Sequence, residues 1–240
     1  MSAAPLRIAV DPIDRTCPER EIIESALKLD GCRIIELGCG RADLTRLIAN
    51  GGRGRHVTAL EVDEIQHAKN LEIADLPNVE FKLGGAQAIP APEATFDAAF
   101  MFKSLHHVPL ETMDTALREL ARVLKPGGHA YLSEPIFAGP YNDIIRLFHD
   151  EQRVREAAFA AIRRAVTDGT FESCDEIFFN APVHFPDFAA FERQIIGATH
   201  TRHVLSPAVH AEVRRRFESH GGSDGVRFRA PMRVNLLRKR

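Results

Sequence analysis

Short apolar runs alternate with helical patterns through the first 135 residues of the chain. Five of these runs are predicted strands: Arg33–Leu37, Arg55–Glu61, Val79–Leu83, Asp97–Phe102 and His129–Glu134. Between them, segments such as Asp43–Ala49 and Glu111–Leu124 place apolar residues along one side, as an amphipathic helix does. A similar pattern over Pro18–Leu29 predicts a helix ahead of the first strand. Strands that alternate with helices indicate βαβ units and a parallel sheet.

The alternation ends after Pro135, and the rest of the chain has a different pattern. We predict a long helix, an aromatic-rich segment, a second helix and a final strand over Asp143–Val166, Phe171–Phe191, Pro207–His220 and Met232–Leu237, respectively. The phenylalanines of the aromatic segment are expected in the core. At 240 residues the chain is expected to form one domain, with a core over residues 1–135, a mostly helical elaboration over residues 136–230 and the last strand within residues 231–240.

The composition is that of a globular protein, with 45% hydrophobic and 27% charged residues. No apolar run approaches the ~20 residues of a membrane helix, and the N-terminus lacks the pattern of a secretory signal. The four cysteines are too few and too scattered for a disulfide framework. His200 and His203 stand three apart, but no Cys or carboxylate completes a metal site. We therefore expect a cytoplasmic protein without a membrane span or a bound metal.

The charge is unevenly distributed along the chain. The net charge is −2, yet residues 201–240 carry ten Lys and Arg against three Asp and Glu. A solvated basic face is the favoured interpretation, and a surface that binds anions or nucleic acid is the alternative.

Two glycines stand where a strand turns sharply into a helix, in the segment Glu36-Leu37-Gly38-Cys39-Gly40. Glycine at such a turn lets the backbone approach a ligand closely, although an ordinary tight turn has the same pattern. Glu61 closes the second strand about 20 residues later, where a carboxylate can accept hydrogen bonds from both hydroxyls of an adenosine ribose. A solvated residue at a strand end is an equally compatible interpretation of Glu61.

Together these features resemble the class I S-adenosylmethionine-dependent methyltransferases, specifically the small-molecule group that includes enzymes of the ubiquinone-biosynthesis type. Four stretches carry the resemblance: Glu36–Gly40, Ala59–Asp63, Phe96–Val108 and Glu119–Pro135. The family implies a doubly wound α/β fold with a mainly parallel, seven-stranded, Rossmann-like sheet. It also implies that S-adenosylmethionine is the cofactor and that a small molecule is the methyl acceptor.

The resemblance assigns the cofactor site residue by residue. The strand ends and the loop after the fourth strand supply Glu36, Gly38, Cys39, Gly40, Glu61, Val62, Phe102 and Lys103. The family usually has an acidic residue after the third strand, where this chain reads Gly84-Gly85-Ala86-Gln87, so the adenine contact is assigned to Ala86 and Gln87. Ala42 replaces a third small glycine, a mild change because alanine also permits close helix packing.

Methyl transfer from a sulfonium needs alignment, exclusion of water and, for some acceptors, removal of a proton. His106 and His107 follow the fourth strand at the edge of the expected pocket, so each is a candidate base. The alternative is that both histidines only hydrogen-bond backbone and shape the loop.

Three other functions were weighed. A nicotinamide oxidoreductase is disfavoured because Asp43 occupies the position of the third fingerprint glycine and would repel a pyrophosphate. A methyltransferase that acts on RNA or protein through the basic C-terminal region and a non-catalytic module that binds S-adenosylmethionine both stay open. The oligomeric state is also open, with a homodimer among the options.

Overall fold

The computed structural model describes residues 5–197 and 203–240. Its helices are α1 Glu19–Ala26, α2 Asp43–Asn50, α3 Glu64–Leu71, α4 Met113–Val123, α5 Gly139–Ile145, α6 Gln152–Thr167, α7 Phe188–Phe191 and α8 Pro207–Glu218. Its strands are β1 Arg33–Leu37, β2 His56–Glu61, β3 Val79–Leu83, β4 Phe96–Phe102, β5 Leu124–Pro135, β6 Phe171–Phe185, β7 Gly221–Gly222 and β8 Gly225–Lys239. None of the described helices is long and apolar enough to cross a membrane.

The strands form one sheet in the order β3-β2-β1-β4-β5-β8-β6, and the two-residue β7 pairs with β8. Strands β1 to β5 pair in parallel, whereas β8 runs antiparallel to both β5 and β6. This confirms the predicted α/β fold with a mainly parallel sheet. The first strand has β2 on one side and β4 on the other, so the connections diverge at the carboxyl end of β1. Ligands of such sheets bind at that switch point.

Both faces of the sheet are covered at its centre, which explains why β1 and β4 are almost continuously apolar. One face packs on α4 and α6, as with Leu120 and Ile162. The other packs on α1 and α2, as with Ile22 and Ile48. A third apolar cluster, which includes Phe191, joins α5, α7 and α8 to the ends of β6 and β8. The elaboration therefore has a core of its own beside the sheet.

The prediction of one long helix over Asp143–Val166 is wrong, because α5 ends at Ile145 and α6 begins at Gln152. Asp150 Oδ1 accepts a hydrogen bond of 3.0 Å from the N–H of Gln152, which favours the start of a new helix at this point. The chain turns between the two helices, and Glu151 is buried there.

The elaboration contains more strand than the sequence predicted. The aromatic segment forms the long strand β6 and then α7, and β8 begins at Gly225, before the predicted start at residue 231. Phe178 is half-buried, whereas other phenylalanines of β6 and α7 are buried, as predicted for the core: Phe171, Phe179, Phe185, Phe188 and Phe191. In β8, buried Val226 and Phe228 alternate with exposed Arg227 and Arg229, a period of two that marks a strand with one exposed face.

Candidate active site

The predicted glycine turn joins β1 to α2 and depends on glycine for two reasons. The φ angles of Gly38 and Gly40 are 78° and 52°, in the left-handed region that side chains disfavour. A Cβ atom at Gly38 would also lie 2.8 Å from Cβ of Ser104, which follows β4. The Ser104 hydroxyl donates a 2.7 Å hydrogen bond to the carbonyl of Leu37. The turn is therefore held against the end of β4.

Glu36 lies beneath this turn and is buried within the sheet. The Thr45 hydroxyl of α2 donates a 2.6 Å hydrogen bond to Oε2 of Glu36. Burial raises the pKa of Glu36 to about 8, although the Thr45 hydroxyl opposes the shift. The side chain therefore links β1 to α2 from inside the protein, and its predicted contact with the cofactor stays a prediction.

Glu61 ties the end of β2 to the glycine turn. Its Oε2 accepts a 2.7 Å hydrogen bond from the N–H of Gly40, and its Oε1 accepts bonds of 2.8 and 3.0 Å from the N–H groups of Val62 and Asp63. On α3, the Asn70 side chain donates a 2.8 Å hydrogen bond to the carbonyl of Gly40. The carboxylate predicted to contact a ribose therefore stands beside the turn predicted to receive the ligand.

The ends of β1, β2 and β3 form a crevice at the edge of the sheet, and apolar and backbone groups border it. The side chain of Val62 is 64% exposed beside the buried Glu61. The loop after β3 lies next to the end of β2, since the N–H of Gly84 donates a 3.0 Å hydrogen bond to the carbonyl of Glu61. In that loop Ala86 is buried and Gln87 is exposed. The structure thus brings the ends of β1, β2 and β3 together, as the order of the motifs predicted.

The end of β4 is strained. Lys103 has a φ angle of 53°, which a residue with a side chain adopts only at a cost, and its N–H donates a 2.7 Å hydrogen bond to the carbonyl of Ser133. Phe102, just before it, is buried. Lys103 is exposed and lines a cavity of about 300 Å³ next to the crevice.

His106 is buried between two carboxylates, with only 3% of its surface exposed. Its Nδ1 shares a short hydrogen bond with Oε2 of Glu134 at the end of β5, and Oε1 of Glu134 accepts a 2.9 Å bond from the N–H of Leu105. On the other side of the ring, Nε2 is 3.5 Å from Oε1 of Glu151. Burial alone would lower the pKa of His106, but the two carboxylates raise it to about 9.

Glu151 is itself held by residues of the elaboration. His149 Nε2 lies 2.8 Å from its Oε1, and the Arg155 guanidinium donates a 2.7 Å hydrogen bond to its Oε2. Arg155 also donates a 3.0 Å bond to Oδ1 of Asn142 on α5. Burial would raise the pKa of Glu151, but His106 and Arg155 hold it far below its usual range.

The cavity of about 300 Å³ lies between the ends of β4 and β5, α5, and strands β6 and β8. Both predicted histidines line it, together with Tyr141 and His149 of the elaboration. His107 is exposed, and its ring centroid lies 4.1 Å from that of His106. His106 is therefore buried between carboxylates, whereas His107 is exposed to the cavity.

Sequence reasoning missed Glu151, which reaches His106 because α6 packs beside the loop after β4, and Arg155, which holds Glu151. No local motif marks them, since their spacing in the sequence is that of an ordinary exposed pair on a helix. Glu134, which closes the predicted fifth strand, is buried and contacts the His106 ring.

The ligand atoms of His106, His107 and Glu151 lie within 4.8 Å of one another, but we do not assign them as metal ligands. Both oxygens of Glu151 are already bound by protein groups, and Arg155 supplies positive charge to the cluster. Of the histidine pair considered from the sequence, His200 lies outside the described residues, and the His203 ring packs 4.7 Å from that of His149.

Residues 34–128 match the family model described as a methyltransferase domain. The chain is 31% identical over 137 residues to the ubiquinone/menaquinone biosynthesis C-methyltransferase of Shewanella frigidimarina, a match that covers 55% of this chain and 53% of the relative. It is 34% identical over 103 residues to a fatty-acid O-methyltransferase of Mycolicibacterium smegmatis, covering 42% of this chain and 36% of that protein. The chain thus spans about half the length or less of these two relatives.

The fold is similar to that of a putative methyltransferase from Bacillus halodurans, with a TM-score of 0.62 and 16% identity over 92% of this chain and 98% of that one. The family match runs from β1 to the start of β5, and the match in fold covers 92% of this chain. Residues 34–128 of this chain therefore carry a methyltransferase domain, and the chain has the fold of that putative methyltransferase.

Proposed function

We propose that the protein transfers the methyl group of S-adenosylmethionine to a small molecule bound in the cavity beside His106. One observation carries this proposal. The buried pair of His106 and Glu134 borders the cavity, and the neighbouring Ser104 contacts the glycine turn of the crevice. A proton acceptor and a cofactor site at adjoining positions are what methyl transfer to a protonated nucleophile needs.

The residues of the crevice suit S-adenosylmethionine, which supplies an electrophilic methyl group when bound. The side-chain-free positions Gly38 and Gly40 leave the backbone open to a ligand, Glu61 offers carboxylate oxygens for ribose hydroxyls, and exposed Val62 offers an apolar surface for adenine. We assign the cofactor to these residues and to the other predicted positions: Glu36, Cys39, Ala86, Gln87, Phe102 and Lys103.

We assign the role of base to His106 rather than to His107. Glu134 fixes Nδ1 of His106 as the donor side of the ring, which leaves Nε2 as the atom that can take a proton. The bond from sulfur to the methyl carbon breaks as the bond to the acceptor atom forms, and the proton of the acceptor passes to Nε2. His107, exposed at the cavity, contacts the acceptor.

A small acceptor fits the site better than a macromolecule. A cavity of about 300 Å³ is at the lower end of the range for small-molecule pockets. The relatives named above act on quinone precursors or fatty acids, according to their names. The basic face considered from the sequence is partly neutralised on α8, where Arg214, Arg215 and Arg216 pair with Glu212 and Glu218. A cytoplasmic location and a homodimer remain predictions from the sequence.

Methyl transfer can be tested with S-adenosylmethionine that carries an isotopic label in its methyl group. The protein is incubated with this cofactor and with a small-metabolite, an RNA or a protein fraction of a cell extract. We expect label in small-molecule products only, and none with Glu61→Ala. Label in RNA or protein would favour the macromolecular alternative. Cofactor binding without transfer to any fraction would indicate a non-catalytic binding module.

A further inference from the structure

The two carboxylates beside His106 come from different parts of the protein. Glu134 ends β5, within the sheet, whereas Glu151 precedes α6, in the elaboration. Glu134 hydrogen-bonds Nδ1, and Glu151 faces Nε2, the nitrogen that the proposed reaction uses. Both carboxylates lie beyond residues 34–128, but Glu151 comes from the elaboration, so the state of the proposed base depends on a residue outside the sheet.

The position of Glu151 is determined by its own contacts. It is buried, and its two oxygens are held by His149 and Arg155 at 2.8 and 2.7 Å. Arg155 is anchored in turn by Asn142. Because the backbone turns between α5 and α6 at this point, the carboxylate points towards His106 rather than into solvent. The break between α5 and α6 therefore places the Glu151 carboxylate beside His106.

The distance between Nε2 and Oε1 is 3.5 Å, which is longer than the ~2.7–3.2 Å of an ordinary N–H···O hydrogen bond. Glu151 therefore acts on the ring through a long contact with Nε2 and through its charge, and both raise the pKa of His106. A negative charge at this distance favours the protonated imidazole. Nε2 can still reach an acceptor in the cavity, which His106 and Glu151 both line.

Other charged and titratable groups also lie near the ring. Arg155 of α6 opposes the effect of Glu151, and Arg233 of β8 lies opposite Glu134 in the register of β5 and β8. Lys103, His107 and His149 line the same cavity. Among the described residues, Glu134 and Glu151 are the two carboxylates in contact with the ring. Of the two, only Glu151 faces Nε2.

We propose that Glu151 is a positioning residue for His106, through which the elaboration sets the proton affinity of the base. This inference rests on the proposed function. It means that the domain at residues 34–128 supplies the base, while the segment that borders the acceptor cavity determines the pH range in which the base works. Changes in the elaboration can therefore alter the pH dependence of the reaction without any change in His106.

The test is an NMR titration of the histidine side chains in the full chain, which needs neither cofactor nor acceptor. The His106 signal is identified by its absence in His106→Asn. In the unchanged protein we expect a midpoint near pH 9 for His106. In Glu151→Gln, which removes the charge and keeps the shape, the midpoint should fall by about 1 pH unit or more. Glu151→Asp keeps the charge, so its His106 midpoint should lie close to that of the unchanged protein.

The matched control is Glu156→Gln on the exposed side of α6, which should leave the midpoint unchanged. Unchanged His106 titration in a folded Glu151→Gln variant would overturn the inference. If that variant does not fold, the unchanged protein still decides, because an ordinary midpoint near 6.5 for His106 contradicts the role of Glu151. The His106 midpoint should be the same when the titrations are repeated in the presence of a metal chelator.

Activity then separates this inference from the function on which it rests. With a substrate in hand, kcat/KM should rise with pH through the His106 midpoint, and this rise should move to lower pH in Glu151→Gln. Absence of methyl transfer by the unchanged protein would contradict the proposed function while leaving the NMR result intact. A normal activity profile that does not move in Glu151→Gln would contradict the inference alone.

Discussion

The carboxylate of Glu134 binds the His106 ring and the N–H of Leu105 at once, so one side chain fixes both the loop after β4 and the orientation of the imidazole. The pair is buried, with β5 beneath it and the cavity beside it. A histidine held in this way presents one nitrogen to a bound molecule. The orientation of the His106 ring should therefore depend on the Glu134 carboxylate.

Removal of the Glu134 charge should impair catalysis more than binding. In Glu134→Gln the amide can still contact the loop, but the ring loses the carboxylate that stabilises its protonated form. We expect kcat to fall by about 10²-fold or more, within the range for general bases, with little change in KM. His107→Asn serves as the comparison, since an effect mainly on KM is expected for this exposed histidine. Equal losses of kcat in both variants would contradict the assignment of the base.

Glu36 should make stability depend on pH. The unfolded chain releases the Glu36 proton near 4.5, whereas the folded protein keeps it up to about pH 8. The folded state binds more protons between these values, so the free energy of unfolding should decrease as the pH rises, by at most about 1.4 kcal/mol per pH unit from this group. Urea unfolding at several pH values should show this decrease in the unchanged protein relative to Glu36→Gln. Parallel curves for the two proteins would refute the prediction.

Substitution of Gly38 should lower the stability more than substitution of Gly31, which has a similar φ angle but open space where a Cβ atom would lie. Gly38→Ala meets both a φ angle of 78° and Cβ of Ser104, while Gly31→Ala meets only a φ angle of 75°. We expect about 1 kcal/mol of destabilisation at Gly31 and clearly more at Gly38. The added change Ser104→Gly should recover part of the loss at Gly38 beyond its own effect. Thermal or urea unfolding measures all four variants.

Neutralisation of α8 should not affect nucleic-acid binding. The arginines of this helix are engaged by Glu212 and Glu218, so Arg214→Gln, Arg215→Gln and Arg216→Gln together should leave any weak RNA binding and its salt dependence unchanged. A fluorescence titration with RNA at two salt concentrations checks this. Tight binding by the unchanged protein that weakens in the triple variant would revive the RNA-methyltransferase alternative.

The parts of the protein that were predicted correctly are those governed by local sequence. The bounds of β1 and β3 agree with the apolar runs, and Gly38, Gly40 and Glu61 meet because parallel strands end at one edge of the sheet. His106 and His107 were also brought to the cavity as expected. In each case the pattern lies within one strand–turn–helix unit or at the ends of two neighbouring parallel strands.

The parts that could not be predicted depend on contacts between distant segments. The aromatic run became β6 because it pairs with β8, more than 40 residues later in the sequence. Helical periodicity continued through Glu151, yet the chain breaks there and directs this carboxylate to His106, 45 residues earlier. Periodicity describes which face of an element is buried, and it carries no information about which buried polar groups will meet.

Calorimetric titration of the protein with S-adenosylmethionine and S-adenosylhomocysteine tests the central claim most directly. We expect micromolar binding of both, weakened in Glu61→Ala by about 1–3 kcal/mol, or roughly 5- to 150-fold, the usual penalty for lost hydrogen bonds to a charged group. Glu64→Ala, on the exposed surface three residues away, is the matched control and should bind as the unchanged protein does. Failure of the unchanged protein to bind either ligand would contradict the assignment of the crevice as a cofactor site.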